Sequence, residues 1–168
     1  MKKILLNVKP FQETLHASMC GPASLKIVLD FYGVNKSEKE LALLAGTDKE
    51  LGTDVKGITR AAKSLGFKCI VKNESTLSDI EEWLKNGVPV IVNWFTRGRS
   101  DYSSSEVADG HLSVVVGLDN KSVYIQDPEI GGIRIIERND FMKVWFDFTG
   151  EFIKLNELII RQIIVVYK

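Results

Sequence analysis

The apolar pattern of this chain changes period midway, and that change limits the folds open to it. Up to about residue 87 the apolar residues recur at helical spacing, and beyond it they gather into runs of strand length. Ala23 to Tyr32 is an amphipathic run ended by Gly33, with Pro22 in the first turn, where its missing N–H does no harm. Ser37 with Glu40 forms a capping box for a second helix that Gly46 stops. Asp54 to Leu65 sets Val55, Ile58, Ala61, Ala62 and Leu65 on one face and stops at Gly66. Ser78 to Glu81 reads as another capping box, opening a helix with Ile80, Trp83 and Leu84 as its apolar stripe before Gly87. Between these helices Phe67 to Val71 is strand-like, with Cys69 as a packed core residue.

Strand signals fill the second half. Val88 to Phe95 is almost wholly apolar, which places it centrally in a sheet, with Pro89 at its start. His111 to Leu118 follows, and Asp119-Asn120-Lys121 reads as a hairpin turn into Ser122 to Asp127. Ile133 to Glu137 reads as a strand, Asp140 to Phe146 as a short helix and Leu158 to Tyr167 as a closing strand. Helices first and a mainly antiparallel sheet after predict an α+β fold, an N-terminal helical part packed on a C-terminal sheet, rather than alternating βαβ units. At 168 residues, without repeats or an internal linker, the expectation is one domain over residues 1–168. The polar stretch from Thr96 to Gly110 stands apart; a loop of that length is either a surface excursion or the rim of a site.

Charge and cysteine content exclude several classes. Lys+Arg and Asp+Glu are both 22, so no basic excess points to nucleic acid or to an anionic membrane surface. Lys2-Lys3 before Ile-Leu-Leu resembles the start of a secretory signal, but the apolar run is too short and Lys9-Pro10 interrupts it. No stretch approaches the ~20 apolar residues of a membrane helix. Two cysteines make no disulfide framework and suit a reducing compartment, so a cytoplasmic location is expected; a longer, exported precursor is compatible with the same residues.

The chemistry centres on Cys20, at the point where a polar loop gives way to the first helix. Unpaired N–H groups and the positive end of the helix dipole favour thiolate over thiol there. A cysteine nucleophile needs a base, a group that orients the base, and donors for the oxyanion formed on a carbonyl. His111 opens a strand after the polar loop, and Asp127 ends the next strand, 127 − 111 = 16 residues later. Paired as a hairpin about Asn120, the two would lie almost opposite each other, within reach of a hydrogen bond. Gln12 lies shortly before the cysteine, where an amide has a use beside an oxyanion. His16 is the rival base, without a carboxylate placed by a regular element, and reads as a rim residue. A zinc site from His16, Cys20, Cys69 and His111 matches no usual ligand spacing, so neither metal nor cofactor is expected.

These parts in this order resemble the bacteriocin-processing cysteine peptidases, the papain-like family that removes double-glycine leader peptides. The likeness rests on Gln12, on Cys20-Gly21-Pro22-Ala23-Ser24-Leu25 with Phe31-Tyr32-Gly33, on Leu51-Gly52-Thr53 and Ala61-Ala62, on Pro89 to Val92, on Gly110-His111 with Val114 to Gly117, and on Asp127-Pro128 with Gly131-Gly132. It implies a papain-like fold and peptide-bond hydrolysis through a thioester. It also implies Cys20 as nucleophile, His111 as base and acid, Asp127 as orienting group and Gln12 as oxyanion donor. Gln12 lies eight residues before Cys20, two more than is usual in that family, and Met19 stands where an aspartate is common. Members of the family are commonly domains of ATP-driven exporters. With neither a membrane span nor a nucleotide-binding domain in this sequence, association with an exporter is an analogy only. The expected partner is a peptide or protein substrate. The same residues would serve acyl transfer or side-chain deamidation, and a papain-like module can also hold a peptide without cutting it.

Overall fold

The computed structural model describes residues 2–15, 18–96, 110–148 and 154–168. Its order is β1 (Ile4–Leu5), α1 (Cys20–Phe31), α2 (Glu38–Ala45), α3 (Val55–Ser64), β2 (Lys68–Lys72), α4 (Leu77–Lys85), β3 (Val90–Phe95), β4 (Gly110–Leu118), β5 (Ser122–Asp127), β6 (Gly132–Glu137), α5 (Arg138–Val144), β7 (Phe146–Phe148), β8 (Leu158–Ile160) and β9 (Ile163–Tyr167). The helices start where local chemistry dictates. The Ser37 side chain accepts from the Glu40 N–H while Glu40 reaches back to the Ser37 N–H, and the Asp54 carboxylate accepts from the Gly57 N–H at 2.6 Å.

One antiparallel sheet runs β2-β9-β3-β4-β5-β6. Beyond the last β3 pair, Val90 with Val115, β1 continues along β4 through Leu5 with Gly117 and Ile4 with Leu118. Each face of the sheet carries its own core. Leu25, Val28, Ile58, Val114 and Ile164 are sealed under α1 to α3, and Ile80, Leu84, Val115, Phe141 and Trp145 are sealed with α4 and α5. Truncating any of these to alanine is worth about 2–5 kcal/mol, so the core and not helix propensity holds the elements in place. The α+β expectation holds, with β2 between α3 and α4 as the one strand set among the helices.

Three boundaries differ from expectation. The capping box of α4 is Thr76 with Asp79, not Ser78 with Glu81, because Thr76 takes the extended conformation that lets its hydroxyl meet the Asp79 N–H. The closing run is two strands, divided where Arg161 adopts φ 46° and the Ser75 N–H bonds its carbonyl. The last helix ends at Val144, and Phe146–Phe148 pairs instead with Leu158–Ile160.

Candidate active site

Cys20 is the first residue of α1, and the cap position before it is Met19, whose side chain makes no hydrogen bond to the helix end. Gly21 lets this end lie close against the loop between α2 and α3: a Cβ there would sit 2.8 Å from the Thr53 Cβ. One turn on, the buried Ser24 hydroxyl donates to the Leu112 carbonyl at 2.9 Å. Leu112 follows His111, so this bond ties the helix of the cysteine to the strand of the histidine.

A bulge settles which face of the sheet Asp127 shares. Near the turn Leu118 pairs with Val123 and Gly117 with Tyr124, but further on Val115 pairs with Ile125 and Val114 with Gln126. The register shift between Val115 and Gly117 turns every later residue of β5 to the other face relative to β4. Continued, the shifted register sets Asp127 beside Ser113 and diagonal to His111 on one face. Without the shift Asp127 would lie beside Val114, facing away from the ring. The expected opposition of His111 and Asp127 is therefore a diagonal pairing made possible by one extra residue.

The contact itself is short and dry. His111 Nε2 and Asp127 Oδ1 are 2.7 Å apart, with the two side chains 1% and 0% exposed. The same oxygen accepts the Glu129 N–H at 3.0 Å, and Oδ2 accepts Arg134 Nε at 2.5 Å. Arg134 also donates to Glu129 Oε2 at 3.0 Å. Trp94 stands edge-on to the imidazole, ring centres 6.1 Å apart, and its own N–H is taken by Ser113 Oγ at 3.0 Å. Cys20 lines the same cleft as this ring and interacts favourably with its charged form.

These contacts set the charge on each group. Burial works against a charged imidazole at His111, yet the hydrogen bond to Asp127 and the favourable interactions with Asp127 and Cys20 outweigh it and push its pKa up to about 10. Burial likewise opposes charge on Asp127, but the bond and the charge of His111, the Glu129 N–H and Arg134 hold its pKa below the ordinary value. The pair is therefore imidazolium with carboxylate at neutral pH.

Around Cys20 and His111 lies a narrow cleft of about 60 Å³, whose walls include Ser18, Leu51, Gly52, Thr53 and Gly110. Gln12 is placed elsewhere: its side chain is exposed, and its amide donates to the Glu129 carbonyl at 2.9 Å. His16 and most of the Thr96 to Gly110 stretch lie outside the described residues. Cys69 sits on β2, partly buried, and its thiol approaches the Thr59 carbonyl. Among the described residues no group of three or more His, Cys, Asp and Glu is placed to hold a metal ion, and no helix is long and apolar enough to cross a membrane.

Three residues beside this site were not singled out in the sequence. Arg134 was legible in principle, because pairing about the 128–131 turn sets it opposite Ile125 and on the Asp127 face. Its inward placement inverts β6, whose Ile133 and Ile135 face solvent. Ser24 has no sequence signal, since a serine inside a helix seldom has a distant partner. Glu13 is the third: it is half-buried, and it lies within electrostatic reach of His111, Asp127, Glu38 and Glu129.

Comparison with known proteins gives a consistent picture. The model of the Peptidase_C39 like family matches residues 5–152. An uncharacterized protein of Methanothermobacter marburgensis is 37% identical over 131 residues, covering 78% of this chain and 77% of that protein. The LcnC-like lactococcin transport/processing ATP-binding protein of Lactococcus lactis is 34% identical over 110 residues, 66% of this chain but only 14% of that much longer protein. The crystal structure of the peptidase domain of Streptococcus ComA, a bifunctional ABC transporter involved in a quorum sensing pathway, superposes with a TM-score of 0.71 at 26% identity, covering 96% of this chain and 98% of that domain.

Proposed function

The chain belongs to the Peptidase_C39 like family, and from that premise and the geometry beside Cys20 we propose that it hydrolyses a peptide bond through a thioester formed on Cys20. The observation that carries the reading is the 2.7 Å bond from His111 Nε2 to Asp127, which leaves Nδ1 as the ring nitrogen for the Cys20 sulfur. In the first step the Cys20 thiolate attacks the scissile carbonyl carbon, and a C–S bond forms. The oxyanion then collapses, the C–N bond breaks, and the imidazolium of His111 gives its proton to the leaving amine. A water that loses a proton to His111 next attacks the thioester, releasing a carboxylic acid and the thiolate. Asp127 keeps the ring in one tautomer and orientation throughout. The N–H of Cys20, at the open end of α1, is one oxyanion donor. Gln12 serves as a second if its amide leaves the Glu129 carbonyl.

The substrate is proposed to be a peptide with a double-glycine leader, as the resemblance to the bacteriocin-processing peptidases implies and as suits similarity to a lactococcin transport/processing protein. The narrow cleft supports this, because it has little room for large side chains next to the scissile bond.

Alkylation and turnover test the proposal together. Cys20 is expected to react with iodoacetamide well below pH 8 and much faster than Cys69, whose thiol pKa burial raises. Cys20→Ala is expected to reduce peptide cleavage by about 10³-fold or more. Equal, slow alkylation at both cysteines, with no cleavage of any double-glycine peptide, would leave a peptide-binding module instead.

A further inference from the structure

Glu13, on the segment leading to Cys20, lies within electrostatic reach of His111 and of three other carboxyl groups: Asp127 at the end of β5, Glu129 in the turn after it, and Glu38 on α2. Those three have their charge answered. Asp127 accepts from His111, the Glu129 N–H and Arg134. Glu129 accepts from Arg134. Glu38 accepts the Thr14 N–H at 3.1 and 3.2 Å and the Thr14 hydroxyl at 2.6 Å. Glu13 differs: its Oε2 is closed off from solvent and has no hydrogen-bond partner among the described residues.

The backbone that carries that carboxyl is held on both sides. The Glu13 N–H donates to the Pro128 carbonyl at 2.8 Å, and Thr14 is clamped to Glu38. Gln12 before it packs on Gly131, where a Cβ would come within 2.7 Å of the Gln12 Cβ. These contacts fix the Glu13 backbone, and with it the point from which the carboxyl is directed into the corner. The cations of this corner are His111 and Arg134, and Arg134 already spans Asp127 and Glu129. A buried carboxyl oxygen without a partner, in a set with more acids than cations, is the one that keeps a proton.

We propose that Glu13 is a positioning residue for His111: neutral, it leaves the imidazolium free to give up its proton, and ionised, it binds that proton more tightly and slows its delivery to the leaving amine. The inference rests on the hydrolytic reading only where it concerns the leaving amine; the coupling of Glu13 to His111 does not depend on that reading. Burial, opposed by His111 and reinforced by Asp127, Glu38 and Glu129, pushes the Glu13 pKa up to about 7. The change of state therefore falls in the working range. The sign follows from Coulomb's law, since a second negative charge near the ring favours its protonated form. Alkylation of Cys20 needs the thiolate but no proton for a leaving group, so it escapes this slowing.

Glu13→Gln, which keeps the shape and removes the titration, provides the test in two measurements on the whole chain. In the first, the His111 ring is titrated by NMR. Its midpoint is expected at least half a pH unit lower in Glu13→Gln than in the unaltered protein, and equal midpoints would overturn the coupling. In the second, kcat/KM for a double-glycine peptide is followed from pH 5.5 to 8.5 beside the rate of Cys20 alkylation. In the unaltered protein cleavage is expected to fall severalfold through about pH 7 while alkylation does not, and Glu13→Gln is expected to lose that step. A step that survives the substitution would overturn the proposal. If neither protein cleaves peptide, the hydrolytic reading falls, and the NMR midpoints alone decide whether Glu13 is coupled to the ring.

Discussion

The corner formed by His111, Asp127 and Arg134 and the segment from Gln12 to Thr14 are neighbours joined through the 128–129 turn, yet they are put together differently. In the corner, hydrogen bonds fix both Asp127 oxygens, and regular strand pairing fixes the residues that make most of them. The segment has no strand partner among the described residues. It hangs from the Pro128 and Glu129 carbonyls on one side and from Glu38 on the other, and it leaves one buried oxygen without a partner among the described residues. A group whose every polar atom has a partner holds its charge over a wide pH range, whereas one with an orphan atom changes charge easily. The difference suggests a division of labour, with the corner setting how the imidazole points and the segment setting how tightly it holds its proton.

The corner is where the largest effect is expected. Asp127→Asn removes the charge that answers both His111 and Arg134, and an amide can present either an N–H or a carbonyl to Nε2. Cleavage is expected to fall by about 10²-fold or more. Asp127 helps raise the His111 pKa, so the alkaline limb of the activity profile should move to lower pH. Arg134, with a side chain only 10% exposed, would lose a partner. Breaking a buried pair in this way costs about 3 kcal/mol, or roughly 6–12 °C in Tm for a chain of this size. A variant with normal cleavage would reduce Asp127 to a turn residue, and the contrast between the two regions would lose its first half.

That contrast also separates what was legible in the sequence from what was not. The α+β class was legible because it rests on local signals: helical spacing up to Leu84, strand runs after Pro89, and caps such as Ser37 with Glu40 and Asp54. The Asn120 hairpin was legible in the same way. Its register was not, because a bulge depends on how β4 meets both neighbours, with β1 pressed against Gly117, and no short-range pattern encodes that. Cys20, His111 and Asp127 could be named from residue type and order, and the structure brings them together. Arg134 and Glu13 were missed for a common reason, since each is a charged residue turned inward, against the rule that charge faces water. Gln12 came from a resemblance, and its amide points to the Glu129 carbonyl.

Gly131 tests the link between the two regions, with a smaller expected effect. It adopts φ 60°, and a Cβ there would meet the Gln12 Cβ at 2.7 Å. Gly131→Ala therefore combines backbone strain with a push on the 12–14 segment, at about 1–2 kcal/mol of stability. Cleavage is expected to fall severalfold, while the His111 to Asp127 bond stays as it is. An NMR titration can tell these apart: the step near pH 7 should shift because Glu13 moves, and the His111 ring should remain protonated into the alkaline range. If His111 instead lost its proton near its ordinary value, the segment and the corner would be one unit rather than two.

The smallest effect is on stability, and its sign is the sharpest check on Glu13. A carboxyl whose pKa is raised on folding, here from 4.5 to about 7, binds more protons folded than unfolded between those values. Stability must therefore fall as pH rises through that window, and the penalty is full above about pH 7. Glu13→Gln removes the penalty, so the variant should be more stable than the unaltered protein at pH 8 and nearly equal to it close to pH 4.5. Glu13 keeps some contact with solvent, which weakens the effect, and about 1 kcal/mol is expected at pH 8, or roughly 2–4 °C in Tm. Thermal unfolding of both proteins at the two pH values measures it. A variant less stable at pH 8 would mean that the Glu13 carboxylate is ionised and paired in the fold, and the segment would then hold charge as firmly as the corner does.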